Sequence, residues 1–192
     1  MTNDYRSLVL AAGDNYRLVP FDVSFTEALF EAVDESRDEL IRFVSWCHPA
    51  YSMEDARRWL QRRERERFEG WSYDFAITDA QNGELVGGSG IDRIQSKNCL
   101  GNLYYWTRTS RTKKGAATAS ASAIASFGLT ALRLIRLEIV VAETNFAGRS
   151  VAEKIGAALE IRLPNRLILG GEILHAYLFS LLSLNDESPL RA

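Results

Sequence analysis

The sequence predicts a mixed α/β (α+β) fold with a mostly antiparallel sheet and one parallel strand pair. Two observations carry this. Between Tyr73 and Thr107, stretches of alternating or apolar residues are separated by turn signals, the pattern of an antiparallel meander. From Gly115 to Leu129 the period becomes helical, and a dense apolar stretch, Leu134 to Val141, follows. A strand, a helix and a strand in that order make a right-handed crossover, which sets the two strands parallel.

Residues 1–14 read as a loosely held start. Tyr16 to Pro20 alternates and ends in proline, so it is predicted as the first strand. Ser24 and Glu27 have the spacing of a capping box, in which each side chain satisfies the other's backbone donor. Ala28, Leu29, Ala32 and Val33 then repeat at helical spacing, predicting a helix to about Arg37. A second helical stretch covers Asp38 to Val44, and residues 46–51 form an aromatic loop. Ser52, with Asp55 three residues on, caps the next helix, whose apolar stripe is Ala56, Trp59, Leu60 and Phe68. Between these lie Arg57, Arg58, Arg62, Arg63, Arg65 and Arg67, with Glu64 and Glu66. Such a run is a solvated face of mixed-sign pairs, or a docking surface for an acidic substrate or protein.

Tyr73 to Thr78 is a strand, Asn82-Gly83 a hairpin turn, and Glu84 to Ile94 the returning strand. Gly87, Gly88 and Gly90 weaken that strand, so they mark a bulge or a close backbone approach. Ser96 to Asn98 turns into a strand from Cys99 to Thr107. The small residues after Gly115 let their helix lie close to the sheet, anchored by Ile124, Phe127 and Leu132 and ended near Gly128. Residues 147–155 form a short helix closed by Gly156. A strand at Leu159 to Leu163, turns at Pro164-Asn165 and Gly170-Gly171, and a long strand from Glu172 to Leu182 complete the sheet. The polar tail from 185 to 192 reads as flexible.

At 192 residues, 46% hydrophobic and 25% charged, the chain is expected to be one domain with a substantial core. A net charge of −2 argues against general nucleic-acid binding. Cys47 and Cys99 lie far apart without a CxxC, and His48 and His175 lack metal-ligand spacing, so neither a disulfide framework nor a metal is expected. No apolar run reaches membrane-spanning length, and the first residues lack the basic and apolar regions of a signal peptide. A cytoplasmic setting is the expectation.

The chain is organised around Leu103 to Gly156. Its loop places Lys113, Lys114 and Gly115 directly ahead of a helix start. Free backbone N–H groups, a positive dipole end and cationic side chains then meet in one place, which suits a phosphate or pyrophosphate.

Tyr105-Trp106 through Thr118, Arg136-Leu137-Glu138, and Asn145 through Gly156 resemble the GNAT N-acetyltransferase superfamily. Within it they are most similar to the RimJ/RimL-type branch, which acetylates the N-termini of ribosomal proteins and related small amines. The resemblance runs from about Tyr16 to Leu182. That branch's loop ends in Arg-Gly-x-Gly-x-Ala, where this chain has Thr112-Lys113-Lys114-Gly115-Ala116-Ala117. Thr112 and Lys113 thus replace the arginine and the first glycine, with Arg111 and Lys113 supplying charge. A lysine where the pattern has glycine is expected to strain the loop. The resemblance implies a parallel central pair that splays apart, with helices on both faces. It also implies that acetyl-CoA lies in the gap, its pantetheine arm bonding like an added strand to Trp106, Thr107 and their neighbours. Trp106, Thr107, Arg108, Arg111, Thr112, Lys113, Lys114, Gly115, Ala116, Ala117, Thr118 and Asn145 are then the cofactor-binding candidates. An N–H near Trp106 would polarise the acetyl carbonyl.

The implied reaction is direct attack of a neutral amine on the thioester, needing a proton acceptor for the amine and a proton for the thiolate. Glu138, in an otherwise apolar strand, either faces a wet cleft as the base or is salt-bridged at the sheet margin. Asn145 either bonds the pantetheine arm or caps its helix. Phe146 lacks the hydroxyl that many family members use as the acid, and Gly148 stands where the family has serine. Acid duty then falls to Ser150, Tyr104, Tyr105 or water. Trp46, His48 and Tyr51 lie where the family builds its substrate wall, and His175 is a substrate contact or a structural histidine. The acceptor is a protein N-terminus or a small amine. The alternative is an inactive member that binds an acyl-CoA or a partner. A homodimer would form through the long final strands.

Overall fold

The meander becomes the first half of an eight-stranded sheet, ordered β1-β2-β3-β4-β5-β6-β8-β7, in a computed structural model that describes residues 8–183. Its strands are β1 (Leu10–Ala12), β2 (Tyr16–Pro20), β3 (Tyr73–Asp79), β4 (Leu85–Gln95), β5 (Leu100–Thr107), β6 (Arg136–Ala142), β7 (Ala158–Leu169) and β8 (Glu172–Leu182). The helices are α1 (Thr26–Glu35), α2 (Arg37–Leu40), α3 (Met53–Glu69), α4 (Ala116–Ser126) and α5 (Phe146–Lys154). Among the described strands only β5 and β6 pair in parallel. Of the ends expected to be flexible, residues 1–7 and 185–192 lie outside the described residues, while Leu10–Ala12 pairs with β2.

Helices cover both faces because the sheet's alternation feeds two apolar clusters. On one side Leu18, Phe75, Ile77, Ile91, Leu103 and Leu137 pack with Ala121, Ile124 and Phe127. On the other, Phe21, Ala76 and Trp106 pack with Leu29, Val33, Trp59 and Leu60. Fully burying one such side chain is worth roughly 1.5–3 kcal/mol. The glycines of β4 serve close approach: a Cβ at Gly87 would lie 2.1 Å from the Trp106 carbonyl oxygen, and one at Gly88 2.5 Å from its indole Nε1.

Several local readings are corrected. Ser24 and Glu27 form no capping box. Asp22 accepts from the Ser24 N–H and opens a 3₁₀ turn, Val23–Phe25, ahead of α1. Ser52 and Asp55 do form one, each side chain bonding the other's backbone N–H. Phe68 is 73% exposed and leaves the stripe of α3. The arginine run is not a uniformly solvated face. Arg63 turns inward to Glu66 and Asp74, and Arg67 donates to the carbonyls of Phe21 and Asp74. α4 ends at Ser126, near Gly128, and a wide turn, Phe127–Ala131, follows it, with Gly128 pressed against Ile91 and Leu137. Pro164-Asn165 does not close a turn between strands. β7 runs on through it, with a register shift between Leu163 and Leu167 and Asn165 at φ 51°.

Candidate active site

β5 and β6 pair only at Leu100, Gly101 and Asn102, opposite Arg136, Leu137 and Glu138. Beyond that point β5 stays with β4 to Thr107, and β6 stays with β8 to Ala142. The two strands therefore part, and a cleft of about 1450 Å³ passes between them. Strand alternation identifies the open groups. The Arg108 N–H bonds Val86 in β4, so Trp106 and Tyr104 face β4 while Leu103, Tyr105 and Thr107 face the gap. The Glu143 N–H bonds His175 in β8, so Val140 and Ala142 face the gap from the other side.

The loop at the end of β5 divides in two. Its first half is tied into the protein. Arg108 pairs with Glu35 and Glu84, and Arg111 with Glu84 and Asp79. The Thr109 N–H bonds the Ser36 hydroxyl at 2.8 Å and the Ser110 N–H bonds Glu35 at 2.8 Å. Although its burial alone would raise the Glu35 carboxyl, the Arg108 guanidinium and the Ser110 N–H hold it down to about 2. The amides of Arg111 and Thr112 close a local 3₁₀ turn onto Arg108 and Thr109. Arg108, Arg111 and the Thr112 amide are thus engaged internally and brace the loop.

The second half is open. The first α4 hydrogen bond is from the Ala119 N–H to the Gly115 carbonyl, so the N–H groups of Lys113, Lys114, Gly115, Ala116, Ala117 and Thr118 have no partner among the described residues. Lys113 at φ 61° and Gly115 at φ 83° turn these amides, and the Tyr16 hydroxyl fixes the Lys114 carbonyl at 2.9 Å. Lys113 holds the angle where glycine was expected, at a cost of about 1–2 kcal/mol. Neither lysine is ion-paired among the described residues, so anion-binding amides, helix dipole and positive charge coincide.

The other candidates separate by wall. Tyr105, Asn145 and Ser150 line the cleft. The Tyr105 hydroxyl donates to the Gly148 carbonyl at 2.7 Å, and burial pushes its pKa up. The Asn145 Oδ1 accepts from the Gly148 N–H, capping α5, and its Nδ2 has no partner among the described residues. Glu138 does not line the cleft. It pairs with Arg136 at 2.9 Å, and Arg136 also holds Glu160, so the salt-bridged alternative describes it. The His175 Nδ1 accepts from the Asn165 N–H at 3.0 Å inside the β7–β8 irregularity. Trp106 and Trp46 meet edge to face at 5.7 Å in the cleft wall. His48 and Tyr51 instead line a smaller adjoining pocket with Trp46 and Trp59.

Sequence reasoning missed Asp74 and the two acids Glu35 and Glu84, and gave Arg63 only as part of the arginine run. Asp74 is fully buried, lines the cleft and accepts from Tyr104 and Ser72. A lone aspartate inside an apolar strand was the signal available.

Residues 16–158 match the family described as acetyltransferase (GNAT) domain. No curated protein matches the sequence. Among solved structures, the RimL ribosomal L7/L12 alpha-N-protein acetyltransferase in complex with coenzyme A is similar with a TM-score of 0.86 at 19% identity, over 92% of this chain and 98% of that one. The ribosomal-protein-S5-alanine acetyltransferase from Vibrio fischeri gives 0.83 at 14% identity, over 94% and 100%. The microcin C7 self-immunity acetyltransferase MccE in complex with acetyl-CoA and AMP gives 0.82 at 16%, over 89% and 94%. These likenesses establish a shared fold.

Proposed function

The chain belongs to the acetyltransferase (GNAT) domain family, and from that premise we propose that it moves an acetyl group from acetyl-CoA to a primary amine by direct attack. The observation that carries this is the gap between β5 and β6 beside six loop amides that have no partner among the described residues. Acetyl-CoA supplies the activated acetyl thioester. The open backbone groups of Leu103, Tyr105, Thr107, Val140 and Ala142 would bond the pantetheine amides, with the Asn145 Nδ2 beside them. The amides of 113–118 and the charges of Lys113 and Lys114 would hold the diphosphate. The carbonyl-polarising N–H belongs to Tyr105 or Thr107, because the Trp106 amide faces β4. Ser150, which lines the cleft, would protonate the departing sulfur.

The acceptor would enter past Trp46 and α3. The acceptor would be a protein N-terminus, which the ribosomal-protein substrates of the similar RimL and S5-alanine enzymes favour, or a small amine. Two free cysteines, Cys47 and Cys99, favour a reducing, cytoplasmic setting. A homodimer would use the β7 edge, where Leu159 and Ile161 are exposed.

A second reading, an acyl-CoA-binding protein without turnover, is favoured by Phe146, which is 74% exposed and offers no hydroxyl, and by Gly148. Free-thiol release from acetyl-CoA with a panel of peptides and small amines decides between them. Turnover supports the transferase, stabilisation by CoA without turnover supports the sensor, and neither result removes both.

A further inference from the structure

The cleft wall holds a carboxylate that the reaction above leaves without a role. Asp74 on β3 is completely buried, yet it lines the cleft. Its Oδ1 accepts from the Tyr104 hydroxyl at 2.6 Å and its Oδ2 from the Ser72 hydroxyl at 2.6 Å. Its cationic neighbours hold it loosely, Arg67 bonding its backbone carbonyl. Arg63 Nη1 stands 3.8 Å from Oδ1 but only 2.8 Å from Glu66. Removing a charge from water costs several kcal/mol unless pairing and hydrogen bonds compensate, so a carboxylate held mainly by two hydroxyls is poised to take a proton.

Tyr104 is half-buried, lines the same cleft, and sits beside Tyr105, whose backbone faces the gap. A phenol that donates to a carboxylate keeps its lone pairs for an ammonium N–H. The other candidates are directed elsewhere: Glu138 to Arg136, and Tyr105 to Gly148.

On the acetyl-transfer reading, we propose that Tyr104 is the catalytic contact of the acceptor amine and that Asp74, acting through it, is the proton acceptor. One ammonium proton passes to the Tyr104 oxygen as the phenolic proton passes to Asp74 Oδ1. The nitrogen lone pair then attacks the thioester carbonyl carbon. The C–N bond forms, the C–S bond breaks with its electron pair on sulfur, and the nitrogen's surplus proton goes to that sulfur. Asp74 afterwards returns its proton to solvent. The groups facing Asp74 are Arg63, Glu66 and Arg67 from α3, Asp92 from β4 and Tyr104 from β5. Burial, only partly offset by Arg63, Ser72 and Tyr104, raises its carboxyl above the usual range.

The test compares the full chain with Tyr104→Phe and Asp74→Asn, using the best amine of the acceptor panel. CoA-induced thermal stabilisation checks that each variant folds and keeps the cofactor site. Both variants should keep that stabilisation and lose about 100-fold in kcat at neutral pH. The unmodified chain should hold its kcat/KM below the amine's own pKa, whereas the variants should fall tenfold per pH unit there, because only neutral amine then reacts. Carboxyl NMR should show Asp74 titrating higher still in Tyr104→Phe. Variants that fold, bind CoA and follow the unmodified pH profile overturn the proposal. Absence of turnover by the unmodified chain with every amine overturns the transferase reading itself.

Discussion

Gly87→Ala tests how β5 is held open. A Cβ there falls 2.1 Å from the Trp106 carbonyl oxygen and 2.8 Å from the Thr107 Cα. Ordinary carbon–oxygen contacts lie near 3.3–3.6 Å, so the end of β5 must move by about 1 Å. Both opposed atoms are backbone, and no rotamer change relieves them. Overpacking of this kind costs about 1–3 kcal/mol, and the upper end is expected. For a domain of this size that lowers Tm by roughly 6–12 °C. The displaced residues carry the Thr107 groups that face the gap and lead into the loop, so stabilisation by CoA should shrink as well. Gly88→Ala provides the contrast. Its Cβ meets the Trp106 indole at 2.5 Å, a side chain that can tilt, so the Tm loss should be smaller. Thermal unfolding with and without CoA measures both. A Gly87→Ala protein that melts within 2 °C of the parent with full CoA stabilisation refutes the reasoning (the threshold being roughly 0.5–1 kcal/mol).

Other outcomes follow from the same geometry. Glu138→Gln should leave kcat within about twofold, because that carboxylate serves Arg136 outside the cleft; a loss near the 100-fold of a true base would restore its catalytic role. Glu35→Gln releases the loop brace and should weaken CoA binding, read by calorimetry. Because Glu35 is held down to about 2 from an ordinary 4.5, its stabilisation is complete above the unfolded value and is lost as pH falls from 4.5 toward 2. Acid unfolding of Glu35→Gln should therefore be flatter in that window. Lys113→Gly relieves a left-handed angle and should gain up to about 1 kcal/mol in denaturant unfolding, while raising the Kd for CoA by removal of a loop cation.

Much of the fold was legible because its signals are local. The Ser52 cap, the Asn82-Gly83 turn, the glycine-rich β4 and the apolar β6 each depend on neighbours in sequence. At the hairpin only Gly83 takes positive φ, while Asn82 caps the turn by accepting from the Glu84 N–H. The failures have one cause, competition from groups remote in sequence or from a nearer residue. Asp22 displaced Glu27 as the α1 entrance partner. β7 continues past Pro164 as an irregularity against β8, its register shifting between Leu163 and Leu167, where the sequence signalled a turn. At the site, backbone features were readable and side-chain partners were not. The loop and the gap followed from element order, whereas Arg108 meeting Glu35 spans 73 residues and Tyr104 meeting Asp74 spans 30. Such contacts exist only once the sheet is assembled.

Amide hydrogen exchange, read residue by residue with and without saturating CoA, tests the central claim most directly. Protection should rise at Tyr105 and Thr107 on the gap edge and at 113–118 in the loop, and stay unchanged at Arg111 and Thr112, whose amides are already bonded. CoA that binds while leaving those gap and loop amides unprotected would show that it sits elsewhere, and the assignment of the cleft would be wrong.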